Sequence, residues 1–249
     1  MHHVEHGTGR AVLVLHGAGV DHRETEACFE PAFEGAVGLR RIYLDLPGMG
    51  LTPADSLRSG EDVLDALLTF AAETADGKDY LLVGHSLGGY YAQAMASRRP
   101  AQVAGLALVC PLLPGVRNVP RHRVLTGSGE LGDDVFRGYF VHQTPEMLER
   151  YGRYVAPSAE LVDQVAAERI GEQWELAPLP ATVYDGPVAI IAGRLDSIVG
   201  YAAAADLLDV YPHASLAVID DAGHALPHEQ PALLRAMLRE WLDRVQRSG

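Results

Sequence analysis

Two cysteines, Cys28 and Cys110, are the only thiols in 249 residues. They stand too far apart for a zinc-binding spacing, and one distant pair makes no disulfide framework. Cys110 closes an apolar run and reads as a small buried hydrophobe. Positive charge is scarce too: 20 Lys and Arg face 33 Asp and Glu, for a formal net charge of −13. That balance argues against a nucleic-acid partner. The one local basic cluster, Arg117, Arg121, His122 and Arg123, reads as a solvated loop. No apolar run is long enough to cross a bilayer, and the opening Met1-His2-His3-Val4-Glu5-His6 is too polar for a signal peptide. The expectation is therefore a cytoplasmic protein with no membrane partner. His2, His3 and His6 read as a frayed, solvated terminus and not as metal ligands. With no phosphate-binding loop and no dinucleotide fingerprint, no cofactor is expected. Internal repeats and low-complexity tracts are missing as well.

The chain does hold apolar runs that alternate with amphipathic stretches. Ala11–Leu15, Leu39–Asp45, Tyr80–Val83, Val103–Val109, Val188–Ala192 and Ser215–Ile219 read as strands. Helical patterns lie between them, around Glu24 to Ala36, from Gly60 to Ala75, after Ser86 as far as Pro100, over Ala202 to Leu208, and from Pro231 onward. Continuously apolar strands separated by helices mean a parallel sheet covered on both faces, an α/β fold. The rhythm breaks once, between about Pro111 and Asp185. There the pattern gives helical pieces, Asp133–His142, Pro145–Tyr154 and Ala159–Ile170, with aromatic residues among them. The expected organisation is a core of residues 1–110 and 186–249 with a helical insertion, 111–185, over the carboxyl ends of the strands, where open α/β sheets bind ligands.

Chemistry concentrates at Gly84-His85-Ser86-Leu87-Gly88, a G-x-S-x-G run between a strand and a small-residue helix. The glycines permit a turn so tight that the apex serine is strained and its hydroxyl lifted into the open. A serine hydroxyl needs a base within hydrogen-bond reach, and the base needs an acid to hold its tautomer. Among 11 histidines, His224 is the best base, because Asp220-Asp221-Ala222-Gly223-His224 follows the last strand. His228 reads as a packing or capping residue. His85 reads as structural, with its side chain turned away from the serine. For the acid, Asp196 in Gly193-Arg194-Leu195-Asp196 ends a strand at the same edge. Asp220 and Asp221 compete but lie awkwardly close to His224, and Asp45 reads as the anchor of the Pro47-Gly48-Met49-Gly50 turn. The oxyanion needs two donors. The Leu87 N–H supplies one, and His16-Gly17-Ala18-Gly19 the other, through Ala18 or, failing that, Gly19.

The order Ser86, Asp196, His224 resembles that of the α/β-hydrolase family, and with it the resemblance covers nearly the whole chain. His16-Gly17, Asp45-Leu46-Pro47-Gly48-Met49-Gly50, the elbow through Gly89, Gly193–Asp196 and Gly223-His224 carry it. It implies a mostly parallel eight-stranded sheet, shortened at the N-terminus because little chain precedes Arg10, with 111–185 in the position of the family's cap. Dehalogenases and epoxide hydrolases of this fold carry an aspartate nucleophile where this chain has Ser86. The carbon–carbon hydrolases of meta-cleavage products typically have an asparagine before the nucleophile and a tryptophan after the histidine, where His85 and Ala225 stand here.

The leading expectation is a serine hydrolase, carboxylesterase-like, acting on an ester, thioester or lactone of a small apolar molecule. A carbon–carbon hydrolase is the rival enzyme. It would need a cation for a substrate carboxylate, for which Arg137, Arg150 and Arg153 are candidates. A non-catalytic small-molecule receptor on the same fold is the reading of another class. Tyr139, Phe140, Met147 and Trp174 are candidates to line a pocket or to pack the insertion.

Overall fold

Runs of Val, Leu, Ile and Ala that are apolar at every position must be covered on both faces. In the computed structural model, which describes residues 1–115, 117–178 and 184–248, such runs form the centre of one seven-stranded sheet. In chain order the strands are β1 (His3–Gly7), β2 (Arg10–Leu15), β3 (Leu39–Leu44), β4 (Tyr80–His85), β5 (Val103–Val109), β6 (Val188–Gly193) and β7 (Ala214–Ile219). Their spatial order is β1-β3-β2-β4-β5-β6-β7. All neighbours run parallel except β1, which pairs antiparallel with β3 from His3↔Leu44 to Gly7↔Arg40. The sheet has seven strands where eight were expected, and it is mostly parallel as expected. The opening histidines, expected to fray, instead lie in or beside β1, and His6 Nε2 meets Glu26 Oε1 at 2.7 Å.

Alternate residues of each strand go to opposite faces. Val12, Val14, Leu81 and Val83 face α1 (His22–Phe29) and α10 (Pro231–Ser248), whose Phe29, Leu234, Leu238 and Trp241 are buried there. Leu13, Leu15 and Leu82 face α2 (Gly60–Ala75), α3 (Leu87–Arg98) and α8 (Ala202–Val210). Helix α2 starts where a capping box allows it: Ser59 Oγ accepts from the Asp62 N–H, and the Asp62 carboxylate accepts from the Ser59 N–H. Its expected bounds agree with the observed ones.

From β2 the chain moves outward to β3, then crosses back to place β4 on the other side of β2. The loops leaving β2 and β4 therefore diverge above their shared edge, the kind of crevice in which α/β sheets hold ligands. Between β5 and β6 come α4 (Asp134–Tyr139), α5 (Pro145–Arg150), α6 (Ala156–Ala159) and α7 (Gln164–Gly171), of which α4 and α6 contribute residues to the cavity at this edge. The expected piece Pro145–Tyr154 runs on through a wider π-turn at Tyr151–Val155. Pro157 has no N–H to give, and its ring pushes away the carbonyl four residues back, so the helix loosens there. Among the described residues of 111–185, strand-like pairing is limited to one bridge, Thr126↔His142. A small core of Phe136, Phe140, Met147, Tyr151 and Val155 closes on Val20 and Ala225 and seats these helices on the loops after β2 and β7.

A methyl group on Gly88 would lie 2.2 Å from Leu15 O and 2.6 Å from His16 O, both rigid backbone atoms. Gly88→Ala should cost about 1–3 kcal/mol in urea unfolding. At exposed Gly152 a methyl meets nothing within 4 Å, so Gly152→Ala should leave stability unchanged or raise it by about 0.5–1 kcal/mol.

Candidate active site

Ser86 sits between β4 and α3 with φ 53° and ψ −118°, a conformation costly for a residue with a Cβ. The neighbourhood holds it there. A methyl on Gly84 would come within 2.4 Å of Gly88 O, so only glycine lets the strand and helix approach this closely. The Ser86 N–H donates to Val109 O at 3.0 Å, and its carbonyl accepts from Leu112 N at 3.0 Å and Tyr90 N at 3.2 Å. The side chain is 8% exposed.

The loops after β6 and β7 meet backbone to backbone. A methyl on Gly193 would lie 2.2 Å from Gly223 O, and Leu195 N donates to Ala222 O at 2.9 Å. This contact brings Asp196 and His224 together. Asp196 Oδ2 accepts from His224 Nδ1 at 2.7 Å, and His224 Nε2 lies 3.0 Å from Ser86 Oγ. Asp196 Oδ1 accepts from the Ile198 and Val199 N–H groups, each at 2.9 Å. Burial alone would raise the Asp196 carboxyl. The His224 charge and these hydrogen bonds outweigh it and hold the group below the usual carboxylate range.

The loop after β2 is clipped in place by His16. Its Nε2 accepts from Leu46 N at 2.9 Å, so its Nδ1–H donates to Gly17 O at 2.7 Å. Burial lowers the His16 pKa, in keeping with this neutral tautomer. Gly17 passes so near the serine that a methyl there would lie 3.3 Å from Ser86 Cβ. Ala18 and Leu87 follow on the two sides of the crevice, and neither N–H has a hydrogen-bond partner among the described residues.

A cavity of about 610 Å³ opens on Ser86 and His224. Gly17, Ala18, Val20, Ile198 and residues of α4, the π-turn and α6 form its walls. The structure corrects one expectation here. His85 does not turn away from the serine's face: it lines the same cavity, and its Nε2–H donates to His224 O at 3.2 Å. Sequence reasoning also missed Glu24, which is 1% exposed and lines the cavity. In the first turn of α1 it reads as an ordinary solvated helix-start acid, and only tertiary placement reveals it. His228 is buried against Glu24 and Cys28.

Of the competing acids, Asp45 anchors its turn as expected, while Asp220 and Asp221 pair with Arg194 and His142. Tyr139 lines the cavity, Phe140 and Met147 pack the helical core above it, and Trp174 packs at a tilt against Tyr90. Arg137 pairs with Asp134, Arg150 reaches His228, and Arg153 lies over the Tyr154 ring. Two clusters contain metal-ligand residue types, His85–Cys110–His224 and His2–His22–Asp45. Hydrogen bonding accounts for the second, in which Asp45 accepts from His2 Nδ1, His22 Nδ1, His22 N and Leu51 N at 2.7–2.9 Å.

Comparison with known proteins places this geometry in context. A family model described as the alpha/beta hydrolase family matches residues 12–237. The pimeloyl-[acyl-carrier protein] methyl ester esterase of Chromobacterium violaceum is 30% identical over 90% of this chain and 91% of its own length. The protein of the same name from Shewanella woodyi is 35% identical, but over 43% of this chain and only 38% of its own length. An alpha/beta superfamily hydrolase from Oenococcus oeni PSU-1 superposes with a TM-score of 0.90 at 25% identity, covering 98% of this chain and 96% of that one.

Asp45, Asp196 and Glu24 all have carboxyls held below their ordinary values. A depressed folded-state pKa stabilises fully above the unfolded value and is lost as pH falls through the folded one. Urea midpoints should therefore drop as pH falls below about 4. Asp45→Asn should make that decline shallower, by up to about 1.4 kcal/mol per pH unit.

Proposed function

Since the chain belongs to the alpha/beta hydrolase family, we propose that it is a serine hydrolase cleaving a carboxylic ester of a small, largely apolar molecule. One observation carries this reading: the unbroken line from Asp196 Oδ2 to His224 Nδ1 at 2.7 Å and from His224 Nε2 to Ser86 Oγ at 3.0 Å. His224 takes the Ser86 proton as the hydroxyl attacks the ester carbonyl. The tetrahedral oxyanion rests on the Leu87 and Ala18 N–H groups, at the start of α3 and in the loop after β2. His224 then returns the proton to the leaving alcohol, and water repeats the sequence on the acyl-enzyme. Asp196 holds the imidazole tautomer and stabilises its charged form.

Residues 111–185 act as the cap that shields this chemistry, with 1–110 and 186–249 as the hydrolase core. Val20, Val135, Val155 and Ile198 in the cavity wall favour an apolar acyl or alcohol group. The names of the Chromobacterium and Shewanella relatives, both methyl ester esterases, point the same way. A carbon–carbon hydrolase has less support. Its substrate carboxylate calls for a cation, and none of Arg137, Arg150 and Arg153 is among the residues lining the cavity. A receptor would have no use for an aligned acid, base and hydroxyl. No helix among the described residues is long and apolar enough to cross a membrane.

Turnover of p-nitrophenyl esters tests this. Ser86→Ala should lower kcat/KM by on the order of 10⁴ or more, and Asp196→Asn by about 10²–10⁴. Gly17→Ala, whose methyl crowds Ser86, should reduce kcat by about 10²-fold with little change in melting temperature. A Ser86→Ala protein that keeps a tenth or more of the activity, about 1.4 kcal/mol in barrier, rules the mechanism out.

A further inference from the structure

The cavity beside Ser86 has a charge that the hydrolytic mechanism does not need. Glu24 Oε1 accepts from the Tyr139 hydroxyl at 2.8 Å and from His228 Nε2 at 3.2 Å. Glu24 Oε2 has no hydrogen-bond partner, and neither has His85 Nδ1, which faces it at 3.7 Å. His85 Nε2–H is already engaged with His224 O. Two buried polar atoms therefore stand opposite each other at ion-pair distance but beyond hydrogen-bond reach, each lacking a hydrogen-bond partner. Buried polar groups left so are rare and costly. Burial would favour a protonated Glu24, but the hydrogen bond and charge of His228 help to hold the carboxyl well below its usual range, so it stays an anion.

The pair lies close to the reacting serine. The space above Gly17 Cα, where a methyl would sit, is 3.3 Å from Ser86 Cβ and 3.5 Å from His85 Nδ1. The wall of the cavity is acidic, with the cationic His228 behind it on Glu24 Oε1. Glu24, Asp133 and Glu160 line it, and among the described lining residues there is no Lys or Arg. Tyr139 and Tyr151 form part of the same wall, and aromatic rings attract cations.

We propose that Glu24 and His85 form a subsite for a protonated amine carried by the substrate, with Glu24 Oε2 as counter-ion and His85 Nδ1 as second acceptor. The ammonium supplies the N–H donors that both orphaned atoms lack, and its charge meets the acidic residues of the wall. The preferred substrate is then an ester with an amino group a few bonds from the carbonyl, on the acyl or the alcohol side. A carboxylate-bearing ester is rejected, because nothing in the wall offsets its charge. The proposal rests on the hydrolase reading for the word substrate, but the binding it describes does not need turnover.

Calorimetric titration of the full-length Ser86→Ala protein separates the two. For the acyl side, the ethyl ester of γ-aminobutyrate is compared with its neutral isostere, ethyl pentanoate. For the alcohol side, dimethylaminoethyl butyrate is compared with isopentyl butyrate. The cationic member of one pair should bind at least tenfold more tightly, and the pair that shows it names the side. Glu24→Gln in the same background should erase the preference, and wild-type kinetics should show it mainly in KM. Equal or tighter binding of the neutral member in both pairs overturns the proposal, and means that Glu24 and His85 hold no more than a water between them. A preference that survives Glu24→Gln overturns it too. Should Glu24→Gln fail to fold, the isostere comparison in Ser86→Ala still decides. Binding preference without any wild-type turnover would sink the hydrolase reading and keep the subsite. Turnover without preference would do the reverse.

Discussion

Helix α3 enters the sheet with its first turn pressed against the end of β2, so close that Gly88 has no room for a methyl beside Leu15 O. The rest of the candidate site depends on this approach. It forces the chain at Ser86 through φ 53°, which turns the hydroxyl out of the sheet and swings His85 into the same cavity. It also leaves the first N–H groups of α3 pointing at the crevice, where a helix start carries partial positive charge. Ser86 and one proposed oxyanion donor thus come from one local constraint. The proposed base and acid come from a second close approach, that of Gly193 to Gly223, which locks the loops after β6 and β7 together.

Three buried carboxylates flank these contacts and differ in how fully they are satisfied. Asp45 accepts from four donors and fastens the turn after β3 to the start of α1 and the N-terminus. Asp196 divides its two oxygens between His224 and two backbone N–H groups, which fixes the ring it orients. Glu24 alone has an oxygen without a partner. A buried anion costs least when every lone pair is occupied. Asp45 and Asp196 therefore read as structural and orienting groups, and Glu24 as a group with bonding capacity to offer.

Most of the sheet was legible because its strands are apolar at every position and end in glycine or aspartate turns. The bounds of α2 were legible because Ser59, Gly60 and Asp62 carry a complete helix start. Ser86, Asp196 and His224 could be chosen because each follows a strand at the same edge. What escaped depended on contacts distant in sequence. The strand role of His3–Gly7 comes from pairing with β3, since the segment has no apolar run of its own. The orientation of His85 depends on the φ of its neighbour. Glu24 looks like any first-turn acid until Tyr139 and His228, 115 and 204 residues away, close over it. The π-turn at Tyr151–Val155 follows from Pro157, but its place in the cavity wall follows from the packing of Phe136 and Phe140 against Val20.

The central claim is that Ser86 is an activated nucleophile held by His224 and Asp196. Mass spectrometry of the intact protein after exposure to a fluorophosphonate, followed by peptide mapping, tests it without any assumption about substrate. A single adduct on Ser86, missing from Ser86→Ala and much slower to form in Asp196→Asn, is the result this account requires. A folded protein that takes no label, or takes it elsewhere, would contradict it.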